Sequence, residues 1–294
     1  MASTQSKLLH ILLRLINKKN FLKAQFAIGK FDFYTCIEPP QEIAAICNID
    51  KYQLDGHNVF TIKPKDKCSD KHILYLHGGA YVKSFAKQHW KFFGLLIKSL
   101  KCTITAPDYP LAPKYTYQES FAMLDPLYKK LISMVSSNNF ILMGDSAGGG
   151  FALALAQKMR DEHENQPKQI ILLSPWLDLT LSNPDIKNID PIDPFLGIEG
   201  LMRAGKAYAG NTKPDHYLLS PINGPLEGLG KISLFVGSNE ILVADARKLK
   251  ALAESKGIYL NYFEYEDMVH VWMLLNLPES KKAKQEIIDL IQHS

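Results

Sequence analysis

The chain has 294 residues, of which 46% are hydrophobic and 22% are charged, and its formal net charge is +4 at pH 7. These proportions are ordinary for a globular protein and exclude a disordered or collagen-like chain. The lysines are scattered along the sequence, so no nucleic-acid footprint is visible and we predict no nucleic-acid partner. The length suits one large α/β domain or two smaller domains, and we favour a single domain over residues 1–294 with a lid.

The four cysteines are Cys36, Cys47, Cys68 and Cys102, and none of them belongs to a C-x-x-C motif. Such wide spacing indicates neither a zinc site nor a disulfide framework. We therefore expect no bound metal, and we expect reduced thiols in a cytoplasmic protein.

The N-terminal segment contains an apolar stretch over residues 8–16, interrupted by His10 and Arg14. It is about nine residues long, whereas a bilayer-spanning helix needs about twenty. No small-residue cleavage site follows it, which argues against a secretory signal. We predict an amphipathic helix on the protein's own surface and no stable membrane insertion, and weak interfacial association stays open.

Residues 49–54 and 58–63 flank the turn sequence "DGH", which predicts a hairpin of antiparallel edge strands. From residue 72 onward, apolar runs alternate with segments of helical periodicity. The predicted strands are residues 72–77, 102–106, 140–144, 169–173, 232–237 and 258–263. This alternation is typical of βαβ units, so we predict an α/β fold with a mostly parallel central sheet.

Residues 178–229 break the alternation, because they are rich in Pro, Gly, Asp and Asn and contain one predicted helix, residues 198–208. The segment is too long for a simple loop. An insertion at the carboxyl edge of the sheet lies where open α/β sheets bind ligands. We predict that it forms a helical cap together with about residues 1–45.

Residues 144–148, "GDSAG", lie between an apolar run and a helical segment. The small residues Gly144 and Gly148 would let the strand and the helix approach closely, while Ser146 takes a strained backbone conformation. This is the G-x-S-x-G nucleophile elbow. A phosphate loop is disfavoured because its Lys is missing, but an ordinary turn stays possible.

A serine nucleophile needs hydrogen-bond donors for the oxyanion, and these must lie at the same sheet edge. The sequence His77-Gly78-Gly79 ends a predicted strand and matches the HGG-type oxyanion loop of esterases. We predict backbone donors at Gly78, Gly79 and Ala147, the last at the start of the helix after Ser146. The alternative is an ordinary glycine turn.

The general base should follow the last strands, because the chain order in this fold is Ser, acid, His. The histidines after Ser146 are His163, His216, His270 and His293. Only His270 falls between the last predicted strand and the last helix, so we predict His270 as the base. A purely structural histidine is the alternative.

The acid should follow the penultimate strand, where "GSNEILVADA" supplies Glu240 and Asp245. Glu240 lies on the loop beyond the strand, whereas Asp245 lies about one turn into the next helix. We favour Glu240. The alternative for Glu240 is a solvated carboxylate at a helix start.

Several motifs in order, "YLHGGAYV", "APDYPLAP", "GDSAGG", "LSPWLDLT", "VGSNEIL" and "MVHVW", resemble the hormone-sensitive-lipase-like esterases of the α/β-hydrolase fold. The resemblance runs from about residue 73 to the C-terminus. It implies a Ser146–Glu240–His270 triad, no cofactor, and hydrolysis of small-molecule carboxylic esters beneath a cap through an acyl-enzyme.

The chain departs from the family pattern at two places. Ala80 replaces the common third glycine, which is tolerable if Ala80 has negative φ and its N–H is not an essential donor. Pro110 and Lys114 replace the usual Arg and Glu, so we transfer no supporting role to them.

The sequence specifies the substrate less closely than it specifies the catalytic residues. We expect short to medium acyl chains, with Tyr81, Trp176, Phe195 and Tyr208 as candidate substrate-binding residues. An amidase such as an arylformamidase, a membrane-surface lipase and a catalytically silent receptor like the gibberellin receptors are alternatives. Retention of His270 argues against the receptor. The sequence leaves the oligomeric state open.

Overall fold

The structure, a computed structural model, describes residues 2–293. Within them eight strands form one sheet. The strands are β1 (Cys47–Leu54), β2 (His57–Pro64), β3 (His72–Leu76), β4 (Thr103–Pro107), β5 (Phe140–Asp145), β6 (Gln169–Leu173), β7 (Lys231–Gly237) and β8 (Leu260–Tyr265).

The spatial order of the strands is β1-β2-β4-β3-β5-β6-β7-β8. β1 pairs with β2, and β2 with β4, in antiparallel fashion, whereas all later pairs are parallel. The carboxyl ends of β5, β6, β7 and β8 therefore meet at one edge of the sheet. The predicted hairpin and the predicted mostly parallel sheet are confirmed, with strand ends shifted by at most two residues.

Helices cover both faces of the sheet and extend beyond it. They are α1 (Thr4–Leu15), α2 (Phe21–Ile28), α3 (Gln41–Ala44), α4 (Lys87–Leu100), α5 (Tyr117–Met134), α6 (Ala147–Asp161), α7 (Ile186–Ile189), α8 (Ile198–Ala209), α9 (Val243–Ser255) and α10 (Pro278–Gln292). The side chains of α5, α6, α8 and α9 join one apolar cluster, and those of α1, α3, α4 and α10 join a second. Alternate residues of β5 enter the two clusters, as the period of a strand requires.

The two segments predicted to form a cap contact each other through α2 and α8. A Cβ on Gly200 would lie 3.0 Å from the Cβ of Leu22, and one on Gly197 would lie 2.4 Å from the backbone oxygen of Lys19. Glycine at these positions therefore permits α8 and the N-terminal segment to approach each other closely. Residues 178–229 hold the short helix α7 as well as the predicted α8.

Helix α1 is fixed at its start and exposed along one face. The Ser3 N–H and the Ser6 hydroxyl donate to the Glu279 carboxylate of α10, at 2.5 and 2.7 Å. Leu13 is buried. The apolar side chains that remain exposed are Leu8, Ile11, Leu12, Leu15 and Ile16. None of the helices among residues 2–293 has the length and apolar character needed to cross a membrane.

Candidate active site

Ser146 occupies a sharp turn between β5 and α6. Its backbone has φ 53° and ψ −122°, a strained conformation for a residue other than glycine. A Cβ on Gly144 would lie 2.3 Å from the Gly148 oxygen, and one on Gly148 would lie 2.1 Å from the Leu76 oxygen. Only glycine fits at either position, so the predicted close approach and the strained serine are confirmed.

The loops after β5, β7 and β8 bring three predicted site residues into one hydrogen-bonded row. His270 Nε2 lies 2.8 Å from Ser146 Oγ. On the other side of the imidazole, Nδ1 contacts Glu240 Oε2. All three side chains are buried; Ser146 is 8% exposed and Glu240 is fully enclosed. The row has the order of a nucleophile, a base and an orienting acid.

The second carboxylate oxygen of Glu240 is also held in place. Oε1 accepts hydrogen bonds from the Gly237 N–H at 2.8 Å and from the Ser174 hydroxyl at 2.6 Å. The Ser174 oxygen in turn accepts from the Val271 N–H at 3.2 Å. Ser174 therefore ties the loop of the acid to the loop of the base. Sequence reasoning missed it, although its place directly after β6, in "LLSPW", was a usable signal.

Asp245 lies apart from the row, inside α9. Its Oδ1 accepts from the Asn183 side-chain amide at 3.0 Å, and no described residue hydrogen-bonds to its buried Oδ2. Burial raises the pKa of Asp245 to about 6. The structure therefore brings Glu240, and not Asp245, to His270.

Asp193 is a second buried carboxylate that the sequence analysis did not single out. Its Oδ2 accepts from the Ile241 N–H at 2.8 Å, next to Glu240. Its Oδ1 accepts from the N–H groups of Phe195 and Leu196, at 2.7 and 2.9 Å. Burial raises the pKa of Asp193 to about 6. Asp193 links the segment predicted to cap the site to the loop that carries Glu240.

The Gly78 N–H is already occupied within the protein. It donates to Asp145 Oδ1 at 2.9 Å, so the prediction that Gly78 supplies a free oxyanion donor is wrong. Among the described residues, no acceptor is found for the N–H groups of Gly79, Ala80 or Ala147. The three free donors lie on the oxyanion loop and at the start of α6.

Ala80 also differs from the expectation. Its φ is +55°, and the next residue, Tyr81, has φ +61°. The condition of negative φ, under which alanine would be tolerable in place of the third glycine, is therefore not met. Two consecutive residues with side chains occupy the left-handed region, at a cost of roughly 1 to 2 kcal/mol each. The surrounding contacts must stabilise this loop against that strain.

Asp145 provides contacts that hold the strained loop in place. Its buried carboxylate accepts from the Tyr75 hydroxyl at 2.8 Å and lies 3.2 Å from His89 Nε2, in addition to the Gly78 N–H. Burial by itself would raise the pKa of Asp145, but these interactions outweigh it and hold that pKa below its usual value. The carboxylate next to Ser146 thus joins the oxyanion loop to the elbow.

The four predicted substrate-binding residues lie in two places. Tyr81 and Tyr208 stack with their ring centres 3.7 Å apart, and Trp176 lies 5.8 Å from Tyr81. All three rings are buried. Phe195 is half-buried, with its ring centre 5.6 Å from that of His270. Phe195 is thus the one of the four with a ring contact to the triad.

No three His, Cys, Asp or Glu side chains within residues 2–293 are arranged to hold a metal ion. The four cysteines are unpaired.

Comparison with known proteins identifies the family. A sequence family described by its alpha/beta hydrolase fold matches residues 73–274. The chain belongs to the α/β-hydrolase family. An esterase of Acinetobacter venetianus is 31% identical over 74% of this chain and 73% of its own length. An acetyl-hydrolase of Streptomyces hygroscopicus is 31% identical over 72% of each chain.

A solved structure of an esterase/lipase from an uncultured bacterium superposes with a TM-score of 0.84, at 26% identity and over 99% of both chains. The fold predicted from the motifs and the resemblance to the esterases are confirmed. This α/β-hydrolase is an enzyme that acts on ester bonds.

Proposed function

We propose that the protein is a serine carboxylesterase with Ser146 as nucleophile, His270 as general base and Glu240 as the acid that orients His270. The observation that carries the proposal is the hydrogen-bonded row Ser146–His270–Glu240, which lies beside free N–H donors on a strained elbow. A serine hydroxyl is a weak nucleophile at neutral pH and reacts when an adjacent base accepts its proton.

The mechanism follows from the positions of the atoms. His270 Nε2 accepts the Ser146 proton while Oγ attacks the ester carbonyl, and the N–H groups of Gly79, Ala80 and Ala147 stabilise the oxyanion. The imidazolium then gives its proton to the departing alcohol, which leaves an acyl-enzyme. Water, deprotonated by His270, cleaves that intermediate and restores Ser146.

The proposal extends to the domain organisation and the compartment. The whole chain acts as one domain, and the cap over the site is formed by about residues 1–45 and 178–229. Contacts between α2 and α8, and the bonds from Asp193 to the acid loop, support this role. Unpaired cysteines support a reducing compartment, the cytoplasm.

An organophosphonate probe tests the nucleophile. We expect labelling of Ser146 alone, identified by mass spectrometry of the labelled peptide. Ser146→Ala should abolish both labelling and ester hydrolysis, while Ser174→Ala, which removes a different buried hydroxyl at the same edge, should still be labelled. Undiminished labelling of Ser146→Ala would show that another residue is the nucleophile.

A panel of p-nitrophenyl esters and matched amides tests the substrate class. We expect the highest kcat/KM for acyl chains of about C2 to C8, with amides cleaved far more slowly, since the relatives are named esterase, acetyl-hydrolase and carboxylesterase. Amides cleaved faster than esters would replace the esterase by an amidase.

A membrane-surface lipase is the second candidate, and exposed α1 favours it. Leu15 is 78% exposed and Leu8 is 65% exposed, on a helix that belongs to the proposed cap. Sedimentation with anionic vesicles tests this function, with Leu12→Ser/Leu15→Ser as the variant. Binding that the variant loses, with activity rising sharply above the critical micelle concentration of the substrate, would favour the lipase.

A further inference from the structure

Two lysines lie half-buried between the N-terminal segment and the oxyanion loop. Lys18 precedes α2, and Lys83 follows the strained turn at Ala80. The Lys83 N–H donates to the Gly79 oxygen at 3.1 Å. A Cβ on Gly79 would lie 2.5 Å from the Lys83 oxygen. Lys83 is therefore part of the backbone turn that presents the oxyanion donors.

The two ammonium groups share one aromatic ring. Lys18 Nζ lies 4.5 Å from the centre of the Phe21 ring, and Lys83 Nζ lies 4.8 Å from it. Lys18 Nζ also lies 5.0 Å from the centre of the Phe195 ring. Attraction between the ammonium groups and the ring faces offsets part of the cost of burying the charges. An uncharged ring, however, does not neutralise them.

Phe195 connects this pair of cations to the proposed catalytic base. One side of the connection is its contact with Lys18, and the other is its ring contact of 5.6 Å with His270. Lys18 and His270 therefore contact the same phenyl ring, so a group bound by Lys18 would lie near the reacting ester without occupying its place. That arrangement suits a charged group on the substrate rather than the scissile ester itself.

Neither lysine has a carboxylate partner within residues 2–293. Three other half-buried lysines have polar partners: Lys19 pairs with Asp190 at 2.8 Å, Lys158 pairs with Asp125 at 2.6 Å, and Lys284 donates to the Leu275 oxygen at 2.8 Å. Buried charges are ordinarily paired, because loss of hydration is costly. Lys18 and Lys83 differ from these three lysines, and within the described residues they are two unpaired cations in contact with the same ring.

Electrostatics of the pair agree with the geometry. Burial, and then the charge of Lys18, lower the pKa of Lys83 to about 8. Burial also lowers the pKa of Lys18. The charge of Lys18 disfavours the charged form of Lys83, and an anion bound by both ammonium groups would offset that repulsion and favour both charged forms.

We propose that Lys18 and Lys83 form an anion subsite, and that the preferred substrates are esters that carry a negatively charged group, a carboxylate or a phosphate. This inference rests on the proposed esterase function and names the substrate class of the same site. The lysines act in substrate selection, since they hold a part of the substrate that does not react. The chemistry shared by the two anions is a set of oxygen acceptors for charge-assisted hydrogen bonds.

Matched substrates that differ only in charge test the subsite. The first pair is mono-p-nitrophenyl adipate, with a free carboxylate on the acyl side, and its carboxamide analogue. The second pair is 1-butyrylglycerol 3-phosphate, with the anion on the alcohol side, and 1-butyrylglycerol. We expect kcat/KM to be at least tenfold higher for the anionic member of one pair, and the pair that shows it identifies the side that bears the charge.

Lysine variants assign the preference to this pair of residues. In Lys18→Met and Lys83→Met, which keep the length of the side chain, the ratio of anionic to neutral kcat/KM should fall about tenfold, the loss of one charge-assisted contact. Lys7→Met removes an exposed lysine from α1 and should leave the ratio unchanged. The wild-type ratio should also fall as salt concentration rises.

Binding to Ser146→Ala separates this inference from the esterase proposal. By calorimetry, either monomethyl adipate or 1-butyrylglycerol 3-phosphate should bind this variant at least tenfold more tightly than its uncharged analogue, and Lys83→Met in the same background should remove the difference. If the wild type cleaves none of the esters, the esterase proposal fails and the binding result still decides the subsite. Equal kcat/KM within both pairs, or a preference that survives both lysine variants, would overturn the anion subsite.

Discussion

At the scale of single residues, two carboxylates compete for the role of acid, and their surroundings differ sharply. Glu240 contacts His270 and receives two further hydrogen bonds, from Gly237 and Ser174. Asp245 is held by Asn183 and has no contact with His270. The proposed assignment therefore depends on which side chain the loop after β7 directs inward.

Neutralising each acid tests this assignment. Glu240→Gln should lose at least a hundredfold in kcat with KM little changed, because the imidazolium that forms during reaction loses its counter-charge. Asp245→Asn should keep kcat within about tenfold of the wild type, since it lies outside the hydrogen-bonded row. Circular dichroism checks that both variants are folded. A larger loss of kcat in Asp245→Asn would refute the choice of Glu240.

Asp245 should instead affect how the stability of the folded protein depends on pH. Its pKa is raised from an ordinary value to about 6 by burial, so the folded state holds the proton more tightly than the unfolded chain. The contribution of this group to stability is thus full below its unfolded pKa and is lost as pH rises through 6. A shift of this size corresponds to at most about 2 to 3 kcal/mol.

Asp245→Asn removes that pH-dependent cost while retaining the acceptor for Asn183. We expect its melting temperature to exceed that of the wild type by roughly 2 to 5 °C at pH 8, with a much smaller difference at pH 4.5. Differential scanning calorimetry at both values measures this. Asp50→Asn changes an exposed carboxylate and is the control. Equal differences at the two pH values would contradict the raised pKa.

At the scale of elements, the contact between the N-terminal segment and α8 depends on glycine. Gly197 has φ −123°, so its backbone is available to any residue, and only the closeness of the Lys19 oxygen excludes a side chain. This contact fixes residues 18–20, and with them Lys18, next to Phe195. The position of the proposed anion subsite thus depends on the packing of two elements far apart in sequence.

Gly197→Ala should separate these elements. Because the added methyl group would meet backbone at 2.4 Å, we expect faster amide hydrogen exchange across residues 4–28, with little change in β5 and β6. Gly205→Ala places its methyl group 3.3 Å from the flexible Leu179 side chain and is the control. Exchange that rises equally in both variants would show that the closeness of Lys19 is not what matters.

At the scale of the whole molecule, one sheet joins two apolar clusters. Trp176 lies in the cluster with α5 and α6, whereas Trp90 and Trp272 lie in the cluster with α4 and α10. Alternate residues of the same strands enter both clusters, so neither cluster can lose its packing without exposing the sheet that supports the other. This arrangement favours one cooperative unit.

We therefore predict a single unfolding transition for residues 2–293. In urea, tryptophan fluorescence and far-ultraviolet circular dichroism should give the same midpoint. Trp176→Phe restricts the fluorescence to one side of the sheet, and its two midpoints should coincide with each other as well. Separate midpoints for the two signals would divide the chain into more than one folding unit.

Local sequence patterns were sufficient to predict much of the structure of this protein. The strands follow from apolar periodicity, and the elbow at Ser146 follows from the small residues around it, both of which are properties of neighbouring residues. The position of His270 follows from chain order. Parallel strands meet with their carboxyl ends at one edge, so residues that follow such strands converge without further information. The chain order Ser, acid, His that is known for this fold then favoured Glu240 and His270 among the candidates.

The tertiary structure alone decided which polar groups are free and which are occupied. The bond from the Gly78 N–H to Asp145 spans 67 positions, and that from Ser174 to Glu240 spans 66. The sequence could not show that Ala80 has positive φ, or that Lys18 and Lys83 share a ring without a counter-charge. Local sequence patterns report the conformational preference of a segment, whereas hydrogen-bond satisfaction and charge pairing depend on partners that only the folded chain brings within a few ångströms.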